Sequence, residues 1–307
     1  MSFSMTIKDE ISKIDSSRTE QLAELSAIVR NSGVVGKNIV ITIENNSIAR
    51  RIYKLFKEMY DVNISITVRR RYGLNNNLIY ILSINSKCHD ILTDLSIIDK
   101  KDNYLDIPNE YLISDNEDMR AYLRGVFMTC GSVNDPKTSR YHLELVINTR
   151  NYANFLNDIL NGYNLNSKVI KREKNYMVYI KEAEKISDFL RLIKSYSGVM
   201  YFEDIRIYRD HKNMTNRLNN CEQANMDKVF LTANKQLKDI EILKKHNIID
   251  TLDNKLKEVI EYRTKYPESS LNELAQIMSQ ELNYNITKSG LNHRFRKIKE
   301  LTSRFKD

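Results

Sequence analysis

The sequence predicts an α+β protein in which an αββαββα unit occurs twice as a pseudo-twofold pair, followed by a small all-α domain. An apolar helix that ends at a glycine occurs near residue 33 and again near residue 131, and the same order of strands and helices follows each glycine. From residue 252 onward only short helical patterns occur. The 307 residues suffice for about two domains with cores of their own.

The repeat begins with two similar helices, ELSAIVRNSGVV at 24–35 and YLRGVFMTCGSV at 122–133. Each contains small residues and ends at a glycine, Gly33 or Gly131, and these glycines are 98 positions apart. A glycine after a helix is typical of the left-handed C-cap, so we expect both to adopt that conformation. A short apolar strand should start directly after each glycine.

The elements that follow match in the two copies. An alternating strand occurs at 38–44 and at 141–147, and an amphipathic helix comes next in each copy, over 48–59 and 152–160. Two copies of this size indicate one pseudo-twofold domain, because a solenoid needs several shorter repeats. Each copy then continues with a hairpin and closes with a helix: we expect hairpins at 63–84 and 167–181, and closing helices at 88–98 and 183–197.

Composition restricts the classes of protein and partner. Lys and Arg number 48 against 40 Asp and Glu, and the formal net charge of +8 favours a polyanionic partner. The three cysteines, Cys88, Cys130 and Cys221, are widely spaced and fit neither a disulfide framework nor a zinc site, which favours a reducing cytosol. Neither a long apolar run nor a signal peptide is evident, so we expect a soluble cytoplasmic protein without membrane association.

The strings LSAIVRNSG at 25–33 and LRGVFMTCG at 123–131 resemble the two LAGLIDADG helices of homing endonucleases. That resemblance implies two helices packed through small residues, and two four-stranded antiparallel sheets that form a saddle over DNA. In active members the acidic residue before the final glycine binds metal ions. Ser32 and Cys130 occupy those positions here, and neither has the charge to anchor Mg²⁺. We therefore predict a degenerate domain without catalytic residues, metal or cofactor; the plainer alternative is a pair of ordinary core helices.

Four other carboxylates lie near these helices in the sequence: Glu24, Asp118, Asp135 and Glu144. None is at the ligand position of the motif, and scattered carboxylates are typically solvated surface groups. We expect these four to be solvated, and we predict that the protein is not an enzyme.

Residues 201–229 form the most polar part of the chain, rich in arginine and asparagine. Apolar residues at helical spacing from Met226 to Leu243 then predict a long amphipathic helix, which favours a connector rather than a functional site. Residues 246–253 are expected to form a linker.

The C-terminal residues predict a helix-turn-helix. An amphipathic helix at 252–266 stops at Pro267, and Ser270 and Glu273 have the spacing of a capping box that opens a second helix. A capped helix, a short turn at 283–287 and a basic helix are typical of this motif. The apolar stripe of the basic helix is Leu291, Phe295, Ile298 and Leu301.

Positive charge is concentrated in that last helix. Between Lys288 and Lys306 there are seven basic residues and one acid, Glu300. Opposite the buried direction of Leu291 lie side chains whose chemistry suits a major groove, with Arg for guanine, Asn for adenine and Lys for phosphate. The alternative is a solvated basic face on a terminal helix. The candidate DNA-contacting residues are Lys288, Ser289, Asn292, His293, Arg296 and Lys297.

Nearly the whole chain is similar to the WhiA family of sporulation and cell-division regulators of Gram-positive bacteria. The similar segments are the N-terminal SFSMTIKDEI, the two repeat helices, the polar IRIYRDHKNMTNRLNNCEQAN and the final ITKSGLNHRFRKIKEL. The resemblance implies a non-catalytic, nucleoid-associated protein that binds double-stranded DNA. It further implies roles in transcription, chromosome organisation, cell division and, in sporulating hosts, sporulation, with protein partners in transcription or cell division.

Two basic clusters on the predicted hairpins are candidates for phosphate contact. Arg69, Arg70 and Arg71 lie in the first hairpin, and Lys171 and Arg172 in the second. Such contacts give salt-sensitive binding that tolerates many DNA sequences. Alternatively, this surface binds proteins or is only structural.

We divide the chain into three segments. These are a degenerate LAGLIDADG-like domain at 1–220, a connecting helix and linker at 221–250, and a helix-turn-helix domain at 251–307. Together the features favour a regulator that binds specific DNA sites. The alternatives are a metal-dependent DNA endonuclease and a protein-interaction scaffold for division or chromosome partners.

Overall fold

The computed structural model describes residues 2–70, 78–138 and 140–305. The chain forms two compact units, Met1–Arg209 and Asp210–Asp307. The three-segment division made from the sequence stays a prediction.

The first unit contains both copies of the repeat, preceded by a short helix, α1 (Phe3–Ile11). The first copy consists of α2 (Arg18–Ser32), β1 (Gly33–Val35), β2 (Ile39–Ile43), α3 (Asn46–Tyr60), β3 (Ile64–Arg70), β4 (Leu78–Ile84) and α4 (Cys88–Asp94). The second copy consists of α5 (Asn116–Cys130), β5 (Gly131–Val133), β6 (Leu143–Ile147), α6 (Arg150–Gly162), β7 (Lys168–Arg172), β8 (Asn175–Ile180) and α7 (Ala183–Leu192). The Gly- and Asn-rich stretch at 73–77, where the sequence predicts the turn of the first hairpin, lies outside the described residues.

Each copy folds into its own four-stranded antiparallel sheet. The strand orders are β1-β2-β4-β3 and β5-β6-β8-β7, so the two sheets have the same topology. Ile41 pairs with Leu82 in one sheet and Leu145 with Val178 in the other, and all four side chains are buried. The predicted α+β double repeat is therefore confirmed, with alternating apolar residues on the covered face of each sheet.

The two repeat helices, α2 and α5, pack against each other through small residues, as predicted. A Cβ atom on Gly125 would lie 2.9 Å from the Cβ of Ala27 and would overlap the carbonyl oxygen of Glu24. Ser26 is also buried, and its hydroxyl donates to the Leu95 carbonyl at 2.7 Å. Only a residue without a side chain at 125 allows this close approach of the two backbones.

The prediction that Glu24 is solvated is wrong, since this side chain is fully buried between α2 and α5 (0% exposed). Its carboxylate accepts a hydrogen bond from Arg51 Nε at 2.8 Å and another from Arg124 Nε at 2.8 Å. Both arginines also donate to the Ser16 hydroxyl. The buried negative charge is therefore paired with two cations, which is the condition for burying a carboxylate. Asp118 is buried as well, so the prediction is wrong there too.

The prediction for the two repeat glycines is also wrong. Gly33 and Gly131 have φ values of −88° and −87° and begin the strands β1 and β5 in extended conformation. Their role is steric: a Cβ on Gly131 would lie 2.8 Å from the Cα of Phe127, and one on Gly33 would lie 3.3 Å from the carbonyl carbon of Val29. At both glycines the chain turns from helix to strand too tightly to leave room for a side chain.

The closing helices are shorter than predicted. α4 ends at Asp94 and α7 at Leu192, and a residue with positive φ follows each, Ser96 (53°) and Lys194 (62°). The predicted helix over 183–197 is therefore two helices, because a left-handed residue interrupts the helical hydrogen bonding.

The helix α1 was not predicted. Ser2 caps its first turn by accepting from Met5 N, and Ile7 and Ile11 are fully buried in the core of the first unit. Glu10 accepts from the Ser195 hydroxyl at 2.7 Å and from Ser197 N at 2.8 Å, which places a carboxylate at the start of the next helix. Negative charge at a helix N-terminus is stabilising.

That next helix, α8 (Tyr196–Lys245), starts in the first unit and continues into the second. The sequence predicted helix only from Met226 onward. The polar segment before it is helical as well, because it contains neither proline nor glycine.

The second unit adds α9 (Asn254–Lys265), α10 (Leu271–Leu282) and α11 (Lys288–Thr302) to the end of α8. The predicted capping box is confirmed, since the Ser270 hydroxyl accepts from Glu273 N and the Glu273 carboxylate accepts from Ser270 N. One core unites the four helices, formed mainly by Ile240, Leu243, Leu256, Val259, Ile260, Leu274, Met278, Leu291, Phe295 and Ile298.

Candidate nucleic-acid interface

The candidate interface is centred on α11, the last helix of the helix-turn-helix. Its N-cap is Thr287, whose hydroxyl accepts from Gly290 N at 3.1 Å. As predicted, Leu291, Phe295 and Ile298 are buried on one side. At its other end, the Thr302 hydroxyl donates to Asp239 Oδ1 at 3.2 Å. These contacts fix the rotation of the helix about its axis and leave its basic side at the surface.

The turn before α11 is held by its own hydrogen bonds. α10 ends at Asn283 in the left-handed conformation (φ 56°), which asparagine tolerates better than most residues. The Ser279 hydroxyl then accepts from Ile286 N at 2.9 Å, which ties the incoming chain back to α10. Together with the buried Ile286, these bonds determine the direction in which α11 leaves the turn.

All six candidate DNA-contacting residues of α11 have exposed side chains. Ser289, Asn292 and Arg296 follow one another at helical spacing, with His293 and Lys297 beside them and Lys288 in the first turn. Arg294 lies instead toward α9, with Nη1 3.9 Å from Glu258 Oε2. Side chains that can contact base edges are therefore brought together on one accessible side, and their role in DNA contact stays a prediction.

The sequence did not indicate that α8 borders this surface. A groove of about 530 Å³ between α8 and α11 is lined by Asn292 and Arg296 on one wall and by Lys235 and Lys238 on the other. Lys299 of α11 also lines it. The lysine spacing on α8 was visible in the sequence, but only the packing of α8 against α11 gives it this position.

Ser32 and Cys130, at the positions where the resemblance to homing endonucleases would place metal-binding acids, lie at the ends of α2 and α5. The Ser32 hydroxyl donates to the Ile28 carbonyl at 2.7 Å, and the Cys130 thiol donates to the Val126 carbonyl at 3.1 Å. Desolvation by burial raises the pKa of the Cys130 thiol to about 12, so this sulfur is neutral at physiological pH. Lys8 of α1 and Ser32 line the same cavity of about 650 Å³, and desolvation lowers the pKa of Lys8.

In the part of the chain that the structure describes, no group of three or more His, Cys, Asp or Glu side chains is arranged to hold a metal ion. The donors at the two degenerate positions are a hydroxyl and a neutral thiol, which are poor ligands for Mg²⁺ compared with carboxylates.

The basic clusters of the hairpins lie on β3 and β7, the edge strands of the two sheets. Arg69, Arg70, Lys171 and Arg172 are all exposed, and Arg71 lies outside the described residues. Arg172 Nη1 is 3.8 Å from the half-buried Glu144, which also accepts a hydrogen bond from the Ser132 hydroxyl. A carboxylate beside Arg172 lowers the positive potential of this strand, and phosphate contact by the hairpins stays a prediction.

The chain matches three family models: the WhiA N-terminal LAGLIDADG-like domain at 18–98, the WhiA LAGLIDADG-like domain at 119–212 and the WhiA C-terminal HTH domain at 215–302. Relatives named "Probable cell division protein WhiA" from Staphylococcus haemolyticus and Staphylococcus saprophyticus are each 40% identical to it over 311 residues. Each match covers 100% of this chain and 98% of the relative.

A solved structure gives the same picture of the fold. The crystal structure of full-length DUF199/WhiA from Thermatoga maritima aligns over 100% of both chains with a TM-score of 0.61 and 24% identity. None of the helices among the described residues has the length and apolar character needed to cross a membrane.

Proposed function

Because the chain belongs to the WhiA family, we propose that it is a DNA-binding regulator of cell division and transcription that recognises specific sites through α11. In sporulating hosts, the same activity would extend to sporulation. The observation on which this proposal depends is the exposed side of α11, where Ser289, Asn292 and Arg296 lie at helical spacing opposite a buried apolar stripe. An α-helix that presents Asn and Arg in this way fits the major groove and can form bidentate bonds to adenine and guanine.

The test uses the full-length protein and a duplex obtained by selecting bound sequences from genomic DNA. We expect Arg296→Ala to weaken specific binding by about 1–3 kcal/mol and to relax the base preference at one position of the site. Asn292→Ala should relax a different position. Lys255→Ala, on the exposed surface of α9, is the control and should bind like the unaltered chain. Unchanged affinity and unchanged preference in both α11 variants would contradict the proposal.

We also propose that the protein does not cleave DNA. Ser32 and the neutral Cys130 thiol at the degenerate positions support this, because phosphodiester cleavage in that fold depends on metal ions held by carboxylates. Supercoiled and linear DNA incubated with the protein and Mg²⁺ should stay intact. Cleavage that a chelator abolishes would show that the domain retains nuclease activity.

Association with the nucleoid follows from the proposed DNA binding, and we propose it as the cellular location. An alternative function, a scaffold for division partners, is favoured by apolar side chains exposed along α8: Met214, Leu218, Met226 and Phe230. A scaffold with incidental DNA contact would keep its location when Asn292 and Arg296 are replaced. The regulator that we propose would lose its association with the nucleoid when these two residues are replaced.

A further inference from the structure

A second cationic site lies in the C-terminal unit, at the start of α10. It is an open cavity of about 470 Å³ bordered by α8, α9, the first turn of α10 and the first residue of α11. Three of its lining residues are cations, Lys228 on α8, Arg263 on α9 and Lys288 on α11, and none of the described residues that line it is a carboxylate. Its chemistry is therefore suited to an anion.

Arg263 is the least exposed of these cations (1%). Its Nη1 donates to the carbonyls of Ser269 at 2.6 Å and Tyr266 at 3.3 Å, and its guanidinium lies 5.5 Å from the ring centre of Phe295. Its buried Nε has no hydrogen-bond acceptor within the described residues. Burial also lowers the pKa of Arg263. A buried guanidinium beside neutral carbonyls, with a donor unused, is stabilised by an incoming anion.

The N-terminus of α10 adds backbone donors to the same cavity. The capping box already pairs Glu273 N with the Ser270 hydroxyl and Ser270 N with the Glu273 carboxylate. The amides of Leu271 and Asn272 have no intrahelical acceptor, and both residues line the cavity. The positive end of the helix dipole favours an anion there. The helix terminus and the buried Arg263 are independent features that favour the same kind of ligand.

The position of the cavity indicates which anion it binds. Lys288, which lines it, is the first residue of α11 and belongs to the candidate DNA-contacting set. Lys228 belongs to the same stretch of α8 whose Lys235 and Lys238 line the groove beside Asn292 and Arg296. A duplex held against α11 would therefore bring its backbone next to α8.

We infer that this cavity binds a backbone phosphate of the DNA duplex, through Lys228, Arg263 and the first turn of α10. α8 is then part of the DNA interface and more than a connector. The inference rests on the proposed function, since it requires that the protein binds DNA.

The experiment measures binding of the full-length protein to a 30-base-pair duplex of arbitrary sequence (about three turns of B-DNA) over a range of salt concentrations. The variant is Lys228→Gln, an exposed residue outside the apolar core. We expect several-fold weaker binding at low salt and a smaller slope of log K against log salt, by about 0.9 for one lost phosphate contact. Lys244→Gln, an exposed lysine of α8 that does not line the cavity, is the matched control and should leave the slope unchanged.

The outcomes separate this inference from the proposed function. A Lys228→Gln protein with the affinity and slope of the unaltered chain, in an experiment where Arg296→Ala still loses specific binding, overturns only the inference. A second result would also overturn the inference: calorimetry shows that the unaltered chain binds inorganic phosphate, and Lys228→Gln abolishes this binding without affecting duplex binding. The cavity would then hold a free anion and not a phosphate of the DNA backbone. Failure of the unaltered chain to bind any duplex overturns both.

Discussion

Replacing Glu24 by glutamine is expected to lower the free energy of unfolding by about 3–5 kcal/mol. The carboxylate lies fully buried between Arg51 and Arg124, with both Nε atoms 2.8 Å from its oxygens. Glutamine keeps the size of the side chain but removes the negative charge and one acceptor. The buried Arg51 guanidinium would then lose its counter-ion, and Arg124 would keep only Glu20, whose Oε2 lies 3.8 Å from Nη2 of Arg124. Leaving buried cations so poorly paired costs much more than the loss of a surface ion pair.

Urea unfolding of the full-length protein, followed by circular dichroism, measures this change. The control is Glu58→Gln on the exposed surface of α3, where the carboxylate is 3.7 Å from Lys54. That variant should stay within about 0.5 kcal/mol of the unaltered protein. If Glu24→Gln and Glu58→Gln unfolded at the same urea concentration, the buried network would not have the stabilising role assigned to it.

A second large loss of stability is expected from Gly125→Ala, at the contact between α2 and α5. The added Cβ would overlap the carbonyl oxygen of Glu24 and lie 2.9 Å from the Cβ of Ala27. Neither neighbour is the end of a flexible side chain, so the helices themselves would have to separate. Overpacking of this kind costs about 1–3 kcal/mol, and the nearby buried ion network places the expected value at the upper end.

The matched control is Gly162→Ala at the end of α6. A Cβ there meets no atom within 4 Å among those the structure describes, and the glycine is not in the left-handed region. Alanine should therefore leave the free energy of unfolding unchanged or raise it by about 0.5–1 kcal/mol, because it lowers the conformational entropy of the unfolded chain. Equal melting temperatures for the two variants would show that α2 and α5 are not in close contact.

The repeat could be predicted from the sequence because it depends on local periodicity. The strands β2 and β6 alternate apolar residues with period two, and the paired glycines fix the interval between the copies. α1 could have been found in the same way, since Phe3, Ile7 and Ile11 follow helical spacing. The burial of Glu24 could not, because its partner Arg124 is 100 residues away and nothing local distinguishes it from a surface glutamate.

The candidate site could likewise be predicted from the sequence only where it depends on local spacing. The exposed side of α11 follows from helical spacing around Leu291 within one element. Lys228 and Arg263 lie on two other helices, and the cavity that they share with Lys288 exists only because α8, α9 and α10 pack together. Sequence spacing indicates which residues share a helix face, but it does not indicate which faces meet.

The ion network between the two repeat helices also makes the halves of the first unit non-interchangeable. The residues equivalent to Glu24 and Arg124, 98 positions away in the other copy, are Tyr122 and Ser26. A dimer of two first halves would lack the cation that Arg124 provides, and a dimer of two second halves would bury an arginine facing a tyrosine. The buried charges of α2 and α5 are therefore complementary only between the two different copies of the repeat.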